Sequence, residues 1–148
     1  MILLAQNIVV LHANVSTVFN FVTNMENYKK WFPGVVDIRS GDNLVHGKPG
    51  KQYIEILQLP QGTKELTIEV KESIENKNFI TEGDLEPLLP KMTMLFSDRG
   101  NDGCQLHLSY FSRNPELKEG DEFIVAIKKD LSERIETATK KLKSIIEK

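Results

Sequence analysis

The sequence has one cysteine, no long apolar run and no excess of either charge sign. Cys104 cannot form a disulfide within the chain, which fits a reducing compartment. No apolar stretch approaches the roughly 20 residues that a membrane-spanning helix needs. The 19 lysines and arginines and the 21 aspartates and glutamates give a formal net charge of -2, whereas nucleic-acid binding needs clustered cationic surface. We therefore expect no integral membrane association and no nucleic-acid partner.

The first residues lack the features of a signal peptide. Residues 1–4 are apolar, but no positively charged region precedes them, and Gln6 and Asn7 interrupt the stretch. We therefore expect a soluble, cytoplasmic protein. The sequence of 148 residues contains no repeat and no Pro/Gly/Ser-rich linker, so we expect a single domain over residues 1–148.

Motifs for a metal, a nucleotide or a nucleophile are also missing. His12, His46 and His107 are not spaced with one another or with carboxylates as metal ligands are. Gly100 and Gly103 enclose Asn-Asp, a pattern typical of a hairpin turn and not of a nucleotide-binding loop. The sequence therefore predicts no metal and no cofactor.

The C-terminal segment, residues 121–148, has the pattern of one long amphipathic helix. Its apolar residues recur at steps of three and four and so share one face: Ile124, Ile127, Leu131, Ile135, Ala138, Leu142 and Ile145. Asp121 is at the N-cap position, and a helix of this length would extend for about 40 Å. Ala138 removes bulk from the apolar face, so there the helix either approaches its support closely or leaves room for a ligand.

The first part of the chain predicts a strand at residues 3–13, followed by two short helices. Asn14 can cap the first helix, and Asn24 can cap a second that ends before Pro33-Gly34. Two helices this short need a larger element to pack on.

The middle of the chain predicts strands separated by short turns, of which Pro60-Gln61-Gly62 is one. Six strands are predicted: residues 35–39, 51–59, 64–74, 79–82, 92–97 and 104–112. Short turns join antiparallel neighbours. The fold class is therefore α+β, with a long antiparallel sheet and helices on one face.

Alternation of apolar and polar residues indicates the buried face of most strands. Leu66, Ile68 and Val70 share one face, and Leu108 and Tyr110 share a face in the last strand. The strand at residues 51–59 is ambiguous. Two sets of its side chains could face inward: Tyr53, Glu55 and Leu57, or Ile54 and Ile56.

Two segments resemble the N-terminal signature of the START-like superfamily, in its branch of polyketide cyclases, dehydratases and lipid-transport proteins. They are residues 11–19 (LHANVSTVF) and residues 21–35 (FVTNMENYKKWFPGV). Many members have proline where this chain has Asn14, which is also a good N-cap. The resemblance implies a helix-grip fold. In this fold the C-terminal helix packs on the concave face of a curved sheet, and an apolar cavity lies between the helix and the sheet.

The resemblance also implies where a ligand would bind. One wall would come from Ile127, Leu131 and Ile135, and the mouth would lie near Trp31, Phe32 and the loops that connect the strands. Further candidate ligand contacts are Tyr53, Met92, Met94, Phe96 and Tyr110. Trp31 and Phe32 could equally close the space beneath the sheet, and the methionines could be ordinary core residues. No ligand contact is assigned to the face that carries Ile68.

The polar residues that could serve catalysis are Tyr110, Glu55 and Arg113. Tyr110 is predicted to point inward, where a buried phenol needs a partner. If Glu55 also points inward, its carboxyl should be paired or have a raised pKa. Arg113 is a candidate for that partner.

Three functions are compatible with these patterns. The leading hypothesis is a non-catalytic protein that binds or transports a small hydrophobic or amphipathic molecule. The second is an enzyme similar to polyketide cyclases or dehydratases. The third is a module that binds a protein partner or a second copy of itself, through an apolar patch formed by Trp31, Phe32 and residues 85–89.

Overall fold

Seven antiparallel strands form one sheet in the computed structural model, which describes residues 1–59 and 62–148. The strands are β1 (Ile2–Leu11), β2 (Val35–Ser40), β3 (Gln52–Leu59), β4 (Gly62–Ile74), β5 (Asn78–Gly83), β6 (Pro90–Asp98) and β7 (Cys104–Ser112). Their order across the sheet is β1-β7-β6-β5-β4-β3-β2. Consecutive strands from β2 to β7 are neighbours, as the short turns predict, and β1 pairs with β7.

The two edge strands, β1 and β2, are consecutive in the chain and are connected by short helices. Helix α1 (Val15–Thr23) follows β1, and a 3-10 turn (Met25–Asn27) leads into helix α2 (Tyr28–Trp31). The Asn14 side chain accepts a hydrogen bond from the Thr17 backbone N–H at 2.8 Å, and Asn24 caps the 3-10 turn in the same way. Both caps agree with the sequence prediction, and together the helices carry the chain from one sheet edge to the other.

Helix α3 (Glu122–Ile146) is the long C-terminal helix. Asp121 occupies its N-cap position, but the Asp121 carboxylate accepts a hydrogen bond from the Lys118 N–H, at 2.8 Å, and none from the helix. The predicted N-cap position is therefore right, although the Asp121 side chain makes no capping bond to the helix. The carboxylate stabilises the turn that leads into the helix.

The second half of α3 packs closely on the sheet beside β1. Ile135, Ala138 and Leu142 are buried there, and the Asn7 amide of β1 donates to the Thr139 hydroxyl at 2.8 Å. Ala138 is fully buried and lines neither of the two concave spaces found along α3. Of the two alternatives for Ala138, the structure therefore has the close approach.

The strand faces agree with the predicted alternation. Leu66, Ile68 and Val70 of β4 are buried. In β3, the ambiguous strand, Tyr53 and Glu55 are the buried residues, whereas Ile54 and Ile56 are only partly buried. The α+β helix-grip prediction is confirmed. The predicted turn Pro60-Gln61-Gly62 lies partly outside the described residues.

Candidate functional site

A cavity of about 420 Å³ lies between the first half of α3 and the sheet. Its volume is in the range of roughly 300–1,000 Å³ that is usual for small-molecule sites. Strands β3 to β7, helix α2 and the β5–β6 loop contribute walls. The apolar lining consists mainly of Leu57, Leu66, Ile68, Leu85, Leu88, Met92, Phe123, Ile127 and Leu131.

The cavity opens to solvent between the β5–β6 loop and the first half of α3. Its exposed lining residues are Lys64, Glu86, Pro87 and Ala126. Trp31 and Phe32, which were predicted to lie at the mouth, are 2% and 5% exposed. The predicted mouth is therefore right in its strand-connecting loop, the one after β5, and wrong in its aromatic part, because the Trp31 and Phe32 side chains are packed beneath the sheet.

Glu55 is an ionisable side chain on the inner, largely apolar wall. It is 4% exposed, and its cross-strand neighbours are Ile38 of β2 and Leu66 of β4. Burial raises the pKa of the Glu55 carboxyl from 4.5 to about 7, and the charge of Arg134 offsets part of this rise. At neutral pH this carboxyl can therefore either hold or release a proton.

Two tyrosine hydroxyls meet at the same end of the cavity. The Tyr28 and Tyr110 hydroxyl oxygens are 2.5 Å apart, and one donates a hydrogen bond to the other. Burial raises the pKa of both phenols, and the Glu55 charge raises both further. Both tyrosines are therefore neutral hydroxyls over the whole physiological pH range.

The rings of this pair belong to an aromatic cluster. Tyr28 stacks on Phe32 with a centroid separation of 5.0 Å, and Phe32 lies 5.4 Å from Tyr110. Trp31 packs edge-on against Tyr28 at 5.2 Å. The cluster fixes the two hydroxyls at the inner end of the cavity, because each ring is held by its neighbours.

The guanidinium of Arg134, on α3, is the positive charge that lowers the pKa of Glu55. The two side chains do not form an ion pair. Its Nε lies 2.9 Å from an Asp130 carboxylate oxygen, and its Nη2 donates to the Gln58 carbonyl at 3.0 Å. Gly34 makes room for this side chain: its φ is +90°, and a Cβ there would lie 1.7 Å from Arg134 Nη1. The guanidinium is thus fixed at the wall by other acceptors.

The structure brings six of the predicted site residues together in the cavity lining. Phe32, Glu55, Met92 and Tyr110 come from the sheet side, and Ile127 and Leu131 come from α3. Their proximity in space follows from the fold. Whether they contact a ligand stays a prediction.

Five other predicted ligand contacts lie in the core and outside the cavity lining: Trp31, Tyr53, Met94, Phe96 and Ile135. The Tyr53 hydroxyl is 2.6 Å from His46 Nδ1, and Phe96 packs edge-on against Phe19. All five side chains are buried in the hydrophobic core, where they pack against neighbouring side chains.

Arg113 does not pair with Glu55, which corrects the partner suggested by the sequence. Its guanidinium forms an ion pair with Glu82 at 3.5 Å and donates to the Gly83 carbonyl at 2.6 Å. Arg113 follows the end of β7, beside the β5–β6 loop, and does not line the cavity. It stabilises the rim from outside.

The sequence reasoning missed Tyr28 and Arg134 as site residues. Arg134 is seven residues after Ile127 and three after Leu131, so it lies on the cavity side of α3. Tyr28 precedes Phe32 by four residues, which puts both rings on one side of the short helix. Helical spacing could therefore have identified both, whereas a preference for apolar residues excluded them.

In residues 1–59 and 62–148, no three His, Cys, Asp or Glu side chains are grouped so that they could hold a metal ion. No helix in the same ranges is long and apolar enough to cross a membrane.

A seven-stranded antiparallel sheet, short helices after β1 and a long C-terminal helix over an internal cavity define the START-like, helix-grip fold. Solved structures show the same architecture. The START superfamily protein from Mycobacterium smegmatis has a TM-score of 0.72 and 19% sequence identity over 98% of this chain and 97% of its own. No protein-family model and no curated protein sequence matches the chain. The similarity therefore concerns the fold.

Two di-domain ARO/CYC proteins also share the fold. StfQ, from the steffimycin biosynthetic pathway, has a TM-score of 0.73 and 12% identity over 99% of this chain. BexL, from the BE-7585A biosynthetic pathway, has a TM-score of 0.74 and 14% identity over 97% of this chain. The chain spans about half the length of these proteins, 51% and 46%.

Proposed function

We propose that this protein binds a small hydrophobic or amphipathic molecule in the cavity between α3 and the sheet. The observation that carries the proposal is the cavity itself, which has about 420 Å³ of space, a mostly apolar wall and a polar inner end. Solvent-exposed apolar walls are unfavourable unless something covers them. A ligand with an apolar body and one polar group would cover the wall and contact the polar end.

Two concave spaces lie along α3, one under its first half and one between its second half and β1, and the first is the more enclosed and the more apolar, which supports a binding role for it. Ile127 and Leu131 line this first cavity and are partly buried, whereas Ile135 and Leu142 of the same apolar face are buried. The β5–β6 loop adds Leu85 and Leu88 on the opposite side. The apolar surface thus continues from helix to loop around one space.

Binding can be tested with N-phenylnaphthylamine, a non-basic probe that fluoresces in apolar surroundings. We expect saturable binding to the wild type and at least about tenfold weaker binding to Leu131→Trp, because the larger ring would occupy the cavity. Val125→Trp is the matched control, since Val125 is on the same helix but is exposed and does not line the cavity. It should bind as the wild type does.

Mass spectrometry of the native protein and of its organic extract would identify a bound molecule. Absence of any extractable molecule together with absence of probe binding would refute the proposal. Equal loss of binding in Leu131→Trp and Val125→Trp would also contradict it, because the effect would then not depend on the cavity.

A second function, enzymatic proton transfer of the cyclase or dehydratase kind, is favoured by Glu55 and the tyrosine pair. A carboxyl with a pKa of about 7 is suited to take a proton near neutral pH. It would remove a proton from the carbon next to a carbonyl, and the electron pair of the broken C–H bond would move to the carbonyl oxygen. A hydroxyl of Tyr28 or Tyr110 would donate a hydrogen bond to that oxygen.

Deuterium exchange next to the carbonyl of an aryl methyl ketone, followed by NMR in D₂O, tests this function. We expect exchange above the buffer rate and a loss on the order of 100-fold in Glu55→Gln. Exchange at the buffer rate, or exchange that is unchanged in Glu55→Gln, would exclude Glu55 as the base.

We propose further that residues 1–148 act as one domain in a reducing compartment such as the cytoplasm. All seven strands join one sheet, and Cys104 is a buried, free thiol. Limited proteolysis should leave the chain intact, and fractionation of cells should locate it. Stable fragments would contradict the single domain, and a location outside the cytoplasm would contradict the proposed compartment.

The apolar surface patch predicted for the partner-binding function is largely not exposed. Trp31 and Phe32 are buried, and of the β5–β6 loop leucines, Leu85 and Leu88 turn toward the cavity. A protein partner or homodimer would need a different surface.

A further inference from the structure

Glu55 is a buried carboxyl for which the described chain provides no direct partner. Its strand neighbours, Ile38 and Leu66, are apolar. No hydrogen bond or ion pair to its carboxylate is found in residues 1–59 and 62–148, and the one cation that acts on it is the more distant Arg134. An ionised carboxyl in such surroundings is costly unless a positive group or hydrogen-bond donors reach it.

The guanidinium of Arg134 already has other hydrogen-bond and ion-pair partners. Asp130 pairs with it at 2.9 Å, and the Pro33 and Gln58 carbonyls accept its other N–H groups at 3.3 and 3.0 Å. Movement of the guanidinium toward Glu55 would break these contacts. The open side of Glu55 is the cavity.

The groups around this open side suit a positive charge. Tyr28, Phe32 and Tyr110 line the same end of the cavity, and the faces of aromatic rings attract cations. The tyrosine hydroxyl oxygens can accept hydrogen bonds from a ligand, in addition to the one between them. An aromatic and carboxylate environment of this kind fits an ammonium group better than a carboxylate.

The charges of the whole lining point the same way. Glu55, Glu86 and Asp130 are acidic, and Lys64 and Arg134 are basic. With all three acids ionised, the lining carries one more negative than positive charge, and a ligand with a single positive charge would neutralise it.

We propose that the ligand is an apolar amine, whose protonated nitrogen binds the Glu55 carboxylate at the inner end of the cavity and whose apolar body lies along Leu66, Ile127 and Leu131. The ammonium donates a charge-assisted hydrogen bond to Glu55. A neighbouring tyrosine oxygen accepts a second. This inference rests on the proposed binding function and adds the chemical class of the ligand.

Three probes with the same aromatic body separate this inference from the binding function: naphthylmethylamine, naphthylmethanol and naphthoic acid. At about pH 8, where Glu55 is ionised and the amine is protonated, we expect the amine to bind at least about tenfold more tightly than the alcohol. The acid should bind most weakly. Calorimetric titration measures all three affinities.

The variant Glu55→Gln should bind the amine no more tightly than the alcohol. Glu65→Gln is the matched control, because Glu65 is an exposed glutamate of β4 that does not line the cavity. It makes the same chemical change and should keep the preference.

The pH dependence provides a test that needs no variant. Affinity for the amine should rise between about pH 6 and pH 8 as Glu55 ionises, whereas affinity for the alcohol should not. The other charged or ionisable groups near Glu55 are Arg134 on α3, Tyr28 on α2 and Tyr110 on β7. Burial raises the pKa of both phenols, so neither tyrosine loses its proton in this interval.

Each outcome decides a different statement. If the alcohol or acid binds as tightly as the amine, or if Glu55→Gln keeps the preference, the amine inference is wrong while the binding function stands. If neither the alcohol nor the amine binds, both fail.

Discussion

Ionisation of Glu55 opposes folding of the ligand-free protein. The pKa of this carboxyl is raised from 4.5 to about 7 by burial. Between these values the folded chain holds a proton that the unfolded chain has released, so the free energy of unfolding falls as pH rises through this interval. Outside the interval both states carry the same charge at this position, and the effect levels off.

Glu55→Gln should therefore remove a pH dependence of stability. Relative to the variant, the wild type should lose on the order of 3 kcal/mol of unfolding free energy between about pH 4 and pH 8. Urea unfolding at a series of pH values measures the loss. Glu65→Gln should keep the wild-type profile, and a wild-type profile in Glu55→Gln would mean that the Glu55 carboxyl is solvated or paired.

The hydroxyls of Tyr28 and Tyr110 should be strongly coupled in stability, because each is the other's partner. Tyr28→Phe or Tyr110→Phe alone leaves one buried hydroxyl without that bond, at a cost of about 1–3 kcal/mol. The double variant removes both groups, so its cost should be smaller than the sum of the two. A double-mutant cycle from urea unfolding gives the coupling, and strictly additive costs would contradict a direct bond.

Residue-level prediction from sequence succeeded for Tyr110 and could not decide for Glu55. Tyr110 continues the apolar face of Leu106 and Leu108, which alternates with Gln105, His107 and Ser109, so its inward direction could be predicted. Glu55 lies on a strand whose opposite face carries Ile54 and Ile56, and isoleucine favours any strand position, exposed or buried. Only the packing of β3 between β2 and β4 fixes which face is inside.

Helix α3 performs two tasks along its length. Its second half is held against β1 by buried side chains and by polar bonds, including the Lys143 ammonium donating to the Val10 carbonyl at 3.0 Å. Its first half, from Phe123 to Leu131, covers the cavity. Sequence periodicity predicted one continuous apolar face, and it could not distinguish the packed half from the half that faces empty space, because both use Ile and Leu.

Enlarging Ala138 should test the close approach of the second half. Ala138→Leu should destabilise the protein by about 1–3 kcal/mol, because a fully buried position has no space for the added carbons. Ala126→Leu makes the same change at an exposed position of α3 and should alter stability by less than about 0.5 kcal/mol. Thermal and urea unfolding measure both, and equal effects would show that Ala138 is not tightly packed.

The strands and short helices were predicted to within a few residues. Cys104–Ser112 matches the predicted strand, and β6 (Pro90–Asp98) extends the predicted one by a residue or more at each end. Local signals suffice here, since alternation, turn residues and caps all act over a few positions. Such signals carry no information about how far a ladder of hydrogen bonds continues beyond the last apolar residue.

The cavity as a whole depends on contacts between distant parts of the chain. Tyr28 and Tyr110 are separated by 82 positions, and Arg134 reaches the Gln58 carbonyl across 76. Element order predicted the α+β class, because few arrangements accommodate one meander and one long helix, and the family resemblance of residues 11–35 added the helix-grip fold. The lining of the cavity required the register of every strand and the rotation of α3, which the sequence pattern alone does not define.

Amide hydrogen exchange should distinguish the part of α3 that is already protected without ligand from the part that a ligand protects. In the ligand-free protein, amides of residues 126–131 should exchange faster than those of residues 135–142, because the first segment covers a cavity and the second is packed on the sheet. A saturating ligand should slow exchange in residues 126–131 and in the β5–β6 loop. At a free concentration of 100 times Kd it should also raise the free energy of unfolding by about 2.7 kcal/mol. Strand β7, which pairs with β1 on one side and β6 on the other, provides the internal reference, since its amides should be well protected in both states. Uniform protection along α3 without ligand would contradict a helix that is supported over only half its length.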